Sequence, residues 1–404
     1  MRGYISELLS LPRGVKQFLL SEPLLGIAFG LYTLLFNLHL LGVNMTEVEI
    51  GKLTALGTFA MAVFAIPCGL LADRVGRKKI LVSGLGLIAA SYYIIACGSF
   101  FHQFLLAQLV WALGMAMMLS AEIPLLFAYC QTKKQQTQTY NMMFAVFTLF
   151  TGLGTMLGGL LPRWLDPAHE HYRGTMLVMA ATMTLVTLAR SFLPAEQQTR
   201  SRCGQYRFSF KQSIPSRHVL IFVGFSFFAG AAFSVLVPYF NIIVKFRLEW
   251  SDTAVAALLT LNGLVLSAAS FLTPYLLERW GLRRISFILF VLTVASSVIL
   301  AIFLPVWLFI AFFLLRSGAF VAWFNVVEGQ SMQTTPDEER SMHASLRSIT
   351  RNLGSTAAAY LGGIILAYEN YWLPFLLSGA VVLGAYIYYR VLMLHSMEKE
   401  LNKG

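Results

Sequence analysis

Two charged side chains stand where a charge is costly. Arg316 lies near the middle of the apolar run Phe312-Phe313-Leu314-Leu315-Arg316-Ser317-Gly318-Ala319-Phe320, and Glu122 lies in Leu119-Ser120-Ala121-Glu122-Ile123-Pro124 of another. An arginine inside hydrocarbon costs about 2.5–3.5 kcal/mol on insertion scales, so each such residue is a candidate for binding or charge pairing. Arg316 can hold an anionic group or a carboxylate, and Glu122 is its expected partner. A carboxylate facing an arginine in such surroundings is the setting that proton exchange needs. A fixed salt bridge, or an arginine bonded only to carbonyls, fits the same residues. Asn37 and Asn241, near the ends of two further runs, are weaker candidates, because asparagines often serve only to tie helices together. Glu22 and Glu328 fall near the ends of their runs, where carboxylates are ordinary, and His39 is expected to be solvated.

The elements that carry these residues follow from composition. The chain has 404 residues, 57% hydrophobic and 12% charged, with a mean hydropathy of +0.68. Backbone groups in lipid must bond to one another, so long apolar segments become spanning helices of about 20 residues. Twelve segments qualify, centred on residues 23–43, 50–72, 79–98, 103–128, 141–162, 174–194, 219–243, 254–277, 285–303, 305–328, 344–366 and 371–393. The expected fold class is an all-α membrane protein built as two six-helix bundles. Residues 1–194 form the first half, the polar segment 195–217 a central loop, and 218–404 the second half.

A second kind of chemistry sits in a turn. Gly69-Leu70-Leu71-Ala72-Asp73-Arg74-Val75-Gly76-Arg77-Lys78-Lys79 packs charge and glycine between two apolar runs. Glu278, Arg279, Gly281, Arg283 and Arg284 repeat its pattern 205 residues later. Phe36-Asn37 is echoed by Phe240-Asn241, and Leu157-Gly158-Gly159 by Leu361-Gly362-Gly363. Echoes in the same order at nearly one offset point to an internal duplication. Asp73 at a helix end gains about 0.3–1 kcal/mol if it faces the positive end of a neighbouring helix. Gly69 is expected to permit close helix approach and Gly76 a tight turn, while Arg74, Arg77 and Lys78 bridge to acids or lipid phosphates.

Charge placement sets orientation. With the N-terminus inside, nearly all loop Lys and Arg fall on the cytoplasmic side, leaving only Lys52, Arg163, Arg173, Lys245 and Arg247 outside. Both termini are then cytoplasmic. The net charge of +11 belongs to loops facing an anionic leaflet and not to a nucleic-acid surface, for which no polar domain is present. Residues 1–20 carry no secretory signal pattern. Cys68, Cys97, Cys130 and Cys203 are scattered and suggest neither a metal site nor a disulfide framework. Thr46 with Glu49 forms the pattern of a capping box opening the second span.

The Gly69 to Lys79 turn resembles the loop 2-3 signature of the major facilitator superfamily. Span count, central loop and second turn extend the resemblance over the whole chain. It implies two bundles rocking about a central site, with spans 1, 4, 7 and 10 lining a cavity and alternating access moving the solute. It also implies that Asp73 and Arg77 latch the cytoplasmic side. Proton-driven drug exporters of that superfamily carry an Arg four residues before a Gly in span 4, where this chain has Val110 before Gly114. They carry Gly-Pro-x-x-Gly-Gly in span 5, where it has Gly154-Thr155-Met156-Leu157-Gly158-Gly159.

The resulting expectation is a secondary transporter in the plasma membrane, acting as a monomer on a small organic or amphipathic solute, with protons as coupling ion and efflux as direction. No cofactor, metal or enzymatic constellation is present in the pattern, and no Walker loop. Uptake or lipid-type flipping, with Arg316 on an anionic group, is the alternative within transport. A transporter-like sensor or anchor, using the central loop, is the alternative outside it.

Overall fold

The computed structural model describes residues 12–166, 172–194, 216–335 and 340–394. Among these, all regular structure is helical. In chain order the long helices are α1 (Arg13–Gly42), α2 (Glu47–Val75), α3 (Arg77–Cys97), α4 (Phe101–Ala128), α5 (Lys133–Leu160) and α6 (Arg173–Ser191). Then come α7 (217–248), α8 (252–280), α9 (282–300), α10 (Val306–Gln333), α11 (Arg340–Ala367) and α12 (Leu373–Tyr388). Eleven of them are long and apolar enough to cross a membrane. The remaining one, α11, forms over 28 residues, although Arg340, Arg347, Arg351 and Asn352 dilute its apolar character. Residues 195–215 of the central loop and the N-terminal residues before Pro12 lie outside the described residues.

Helix ends follow local chemistry. Thr46 and Glu49 close the capping box at the start of α2: the Thr46 amide donates to Glu49 Oε2 at 2.9 Å, and the Glu49 amide to Thr46 Oγ1 at 3.3 Å. Asp166 opens α6 from outside the helix, accepting from the amides of Gly174 and Thr175 at 2.7 and 2.9 Å. α7 is not continuous. It runs as Arg217–Ser234, breaks through a single 3₁₀ turn at Val237–Tyr239 containing Pro238, and resumes as Phe240–Leu248.

The chain divides into two compact units. Unit 1 comprises residues 1–43 and 63–208, and unit 2 residues 44–62 and 209–404. Lipid gives helices no hydrophobic reason to associate, so close packing of small residues carries much of the work. In unit 1 a Cβ on Gly26 or Gly30 of α1 would collide with the α5 backbone around Phe147, Thr151 and Gly154. Thr155, which stands where the exporter pattern has proline, donates its hydroxyl to the Gly30 carbonyl at 3.3 Å. In unit 2, Gly230 of α7 and Gly354 of α11 make the matching approach, with Ser355 Oγ donating to the Gly230 carbonyl at 3.2 Å. The duplication seen in the sequence therefore recurs as a packing device.

The two charged turns share their backbone as well. Gly76 between α2 and α3 has φ 107°, and Gly281 between α8 and α9 has φ 72°. These are the two positive-φ glycines among the described residues, and a side chain at either would be strained. Gly69 departs from expectation. A Cβ there would meet no heavy atom of the described residues within 4 Å, so no close approach among those residues depends on it.

Candidate functional site

Unit 1 contains a buried cluster of charge built from three helices. Arg190, in the last turn of α6, is 0% exposed. Its Nη1 donates to Glu122 Oε1 of α4 at 2.6 Å, and its Nη2 to Glu22 Oε2 of α1 at 2.6 Å. Its Nε donates to Ser21 Oγ at 3.2 Å, and its guanidinium lies 4.3 Å above the Phe18 ring. Four residues of α1, at 18, 21, 22 and 25, share the buried side of that helix, as the 3.6-residue period requires. Each edge of the guanidinium is thus occupied, which fixes both carboxylates in place. With all three groups ionised the cluster carries one negative charge in excess.

Glu122 is therefore engaged by Arg190, where the sequence offered Arg316 as its partner. Glu22 is buried and paired, where an ordinary helix-end carboxylate was expected. Arg190 is not among the candidates that residue order offers, although it lies within the predicted span 174–194; a charge four residues inside the end of an apolar run is the signal that points to it. His39 is also fully buried, its Nε2 3.0 Å from the Ile95 carbonyl, and not solvated.

Arg316 has different neighbours. It is 1% exposed, donates to Ser297 Oγ of α9 at 3.4 Å and to Ser378 Oγ of α12, and lies 5.1 Å over the Phe320 ring. Both hydroxyls spend their own protons on backbone carbonyls, Ser297 on Thr293 at 2.7 Å and Ser378 on Ala232 at 3.0 Å. Arg316 is thereby held by neutral acceptors, and no carboxylate reaches it among the described residues. Elsewhere in unit 2, Glu328 of α10 takes Arg347 and Arg351 of α11 at 3.5 and 3.6 Å. Asn37 and Asn241 are both buried, Asn241 Oδ1 accepting from the Ile242 amide at 3.0 Å.

At the first charged turn, Arg77 Nη1 donates to the Pro124 carbonyl at 3.4 Å, two residues beyond Glu122 on α4. The turn thus touches the stretch of helix that presents one acid of the cluster. Arg74 is exposed and Lys78 half-buried. The Asp73 side chain lies outside the described residues. At the second turn Glu278, Arg279, Arg283 and Arg284 are exposed, and Arg279 Nη1 donates to Tyr275 Oη at 3.1 Å. No group of metal-ligating side chains assembles among the described residues.

Paired turns, duplicated helix packing and buried charge inside spanning helices are what a membrane transporter of the expected superfamily contains. The family model described as Major Facilitator Superfamily matches residues 19–247 and 222–403. The chain belongs to the Major Facilitator Superfamily. It is a multi-pass membrane transporter and not an enzyme. Among relatives in this superfamily, the multidrug resistance protein 2 of Bacillus subtilis (strain 168) is 22% identical over 357 residues, covering 86% of this chain and 85% of that protein. A gallate transporter of Pseudomonas putida is 29% identical over 205 residues, 48% of this chain and 41% of that one. The crystal structure of nucleoside transporter NupG superposes with a TM-score of 0.78 at 13% identity, over 94% of this chain and 99% of that one. At that identity the likeness shows the superfamily fold.

Proposed function

We propose that this transporter exports a small organic or amphipathic solute in exchange for protons, by alternating access, with Glu22, Glu122 and Arg190 as its coupling site. The observation that carries the reading is two carboxylates on one buried guanidinium, each at 2.6 Å. An uncompensated charge is expensive inside a bilayer. One proton makes the cluster neutral, and losing that proton leaves two acids competing for a single cation. The cluster thus has two charge states, and it joins α1, α4 and α6, so each state weights the packing of three helices differently.

The charged turn supports a link between proton and conformation. Through Arg77 it reaches the Pro124 carbonyl beside Glu122. On this reading Asp73 and Arg77 act as a latch whose seating responds to the charge on the cluster, with the turn and both termini in the cytoplasm. The name of the Bacillus relative supports export. The Val110 and Thr155 departures leave the usual exporter arginine and proline unfilled, and the Arg190 cluster supplies a coupling group by another route.

The test is solute movement in proteoliposomes under an imposed pH gradient. Exchange requires the solute to run toward the acidic compartment, and Glu122→Gln to abolish that driven movement. Driven transport unchanged in Glu122→Gln would remove the cluster from the mechanism.

A further inference from the structure

We propose that Glu328, Arg347 and Arg351 form an anion-binding subsite for the solute, so that the solutes carried are organic anions; this deepens, and rests on, the transport reading above. Arg347 and Arg351 stand four residues apart on one face of α11. Both point at the same atom, Glu328 Oε2, from 3.5 and 3.6 Å. Those separations exceed the 2.7–2.9 Å or so of a tight charge-assisted bond, so neither guanidinium is saturated by the carboxylate.

One carboxylate between two guanidiniums leaves one positive charge in excess. The arginines remain open, their side chains 33% and 44% exposed, while Glu328 beneath them is buried. Glu328 is a positioning residue: it holds two like charges together that would otherwise repel. Its second oxygen, Oε1, is buried with no hydrogen-bond partner among the described residues, so the carboxylate grips the pair from one side only. The Phe233 ring of α7 lies 6.0 Å from the Arg351 guanidinium, which sets an apolar surface beside the cation. Planar forks with spare N–H donors next to an aromatic ring match a carboxylate, sulfonate or phosphate on an apolar body.

The contrast with unit 1 sharpens the assignment. Glu122 of α4 and Glu328 of α10 lie 206 residues apart, one residue off the 205-residue offset of the charged turns. Glu122 shares one arginine with a second acid, whereas Glu328 shares itself between two arginines. The first arrangement calls for a proton and the second for an anion. Arg316, held only by neutral acceptors in the same unit, adds a further positive charge.

A lipid phosphate offers the same chemistry as a solute anion, so the experiment separates them. The purified full-length protein in phosphatidylcholine nanodiscs, with no gradient, is titrated calorimetrically with 2-naphthoate and with 2-naphthamide. The account expects 2-naphthoate to bind at least about tenfold more tightly, the margin one charge-assisted contact supplies. The double variant Arg347→Gln, Arg351→Gln should reduce that preference to about twofold or less, and Arg347→Lys, Arg351→Lys should restore part of it. Equal affinity of the two probes, binding of neither, or a preference that survives the Gln pair would overturn the subsite. Loss of 2-naphthoate binding on adding phosphatidylglycerol would assign the arginines to lipid and overturn it too. Binding is read here without a gradient, so a parent protein that prefers 2-naphthoate but moves no protons with solute fails only the coupling reading, and one that moves protons without that preference fails only the anion site.

Discussion

Glu22 and Glu122 hold opposite edges of one guanidinium, that of Arg190, at 2.6 Å each. Three helices distant in sequence thereby meet at a point that carries more acid than base. Removing the shared partner is the severest change available there. Arg190→Gln leaves two carboxylates facing each other without a cation, and breaking a buried pair in this way costs about 3–5 kcal/mol. Thermal unfolding in detergent should show a large fall for Arg190→Gln, and a clearly smaller one for Arg190→Lys. A variant as stable as the parent would mean that the cluster bears little of the fold.

Glu122→Gln should behave differently. It keeps the side-chain shape and leaves Arg190 and Glu22 as a one-to-one pair, so stability should stay within about 1 kcal/mol of the parent. What should disappear is the response to pH. Solute binding measured across pH 5 to 9 should vary in the parent and flatten in the variant. A profile that keeps its shape in Glu122→Gln and in Glu22→Gln would place the titrating group elsewhere.

The turns make a backbone prediction. Gly76 and Gly281 adopt positive φ, where a Cβ costs about 1–2 kcal/mol. Gly76→Ala and Gly281→Ala should each lower stability by about that much. Gly69→Ala should change it little, because a Cβ there meets no described atom within 4 Å. Equal effects at residues 69 and 76 would show that the turn's glycines serve some purpose other than backbone conformation.

Helix contact yields a larger effect. Gly30 and Gly230 lie against the backbones of α5 and α11, with no room for a Cβ. Gly30→Val and Gly230→Val should therefore force the helices apart, and the yield of monodisperse protein by size-exclusion chromatography should drop sharply for both. Gly263→Val, at a glycine with open surroundings, is the matched control and should purify normally.

Much of this molecule was legible from residue order alone. Apolar run length gave the spanning helices, since lipid leaves the backbone little alternative to helix. The Thr46 and Glu49 pair gave a helix start, and the 205-residue offset gave the relation between Gly76 and Gly281 later seen in their φ angles. Pairing of buried charge was less legible. Which acid faces which arginine depends on the rotation of each helix about its axis, and apolar helices with polar residues on few faces encode that rotation weakly. Hence residue order pairs Glu122 with Arg316 and gives no sign of its 2.6 Å contact with Arg190. The distance of Glu22 from the end of an apolar run likewise says nothing about which side of α1 it occupies. α11 carries three arginines in its first half, so its apolar run is the most diluted of the twelve.

The most direct test of the central claim is proton release and uptake measured together with solute flux. Purified protein in sealed proteoliposomes carrying an internal pH dye is given an outward solute gradient with no initial pH difference. The account predicts that solute leaving the vesicles draws protons in, acidifying the lumen, and that Glu122→Gln separates solute flux from any pH change. Solute flux in the parent protein with no accompanying proton movement would contradict it.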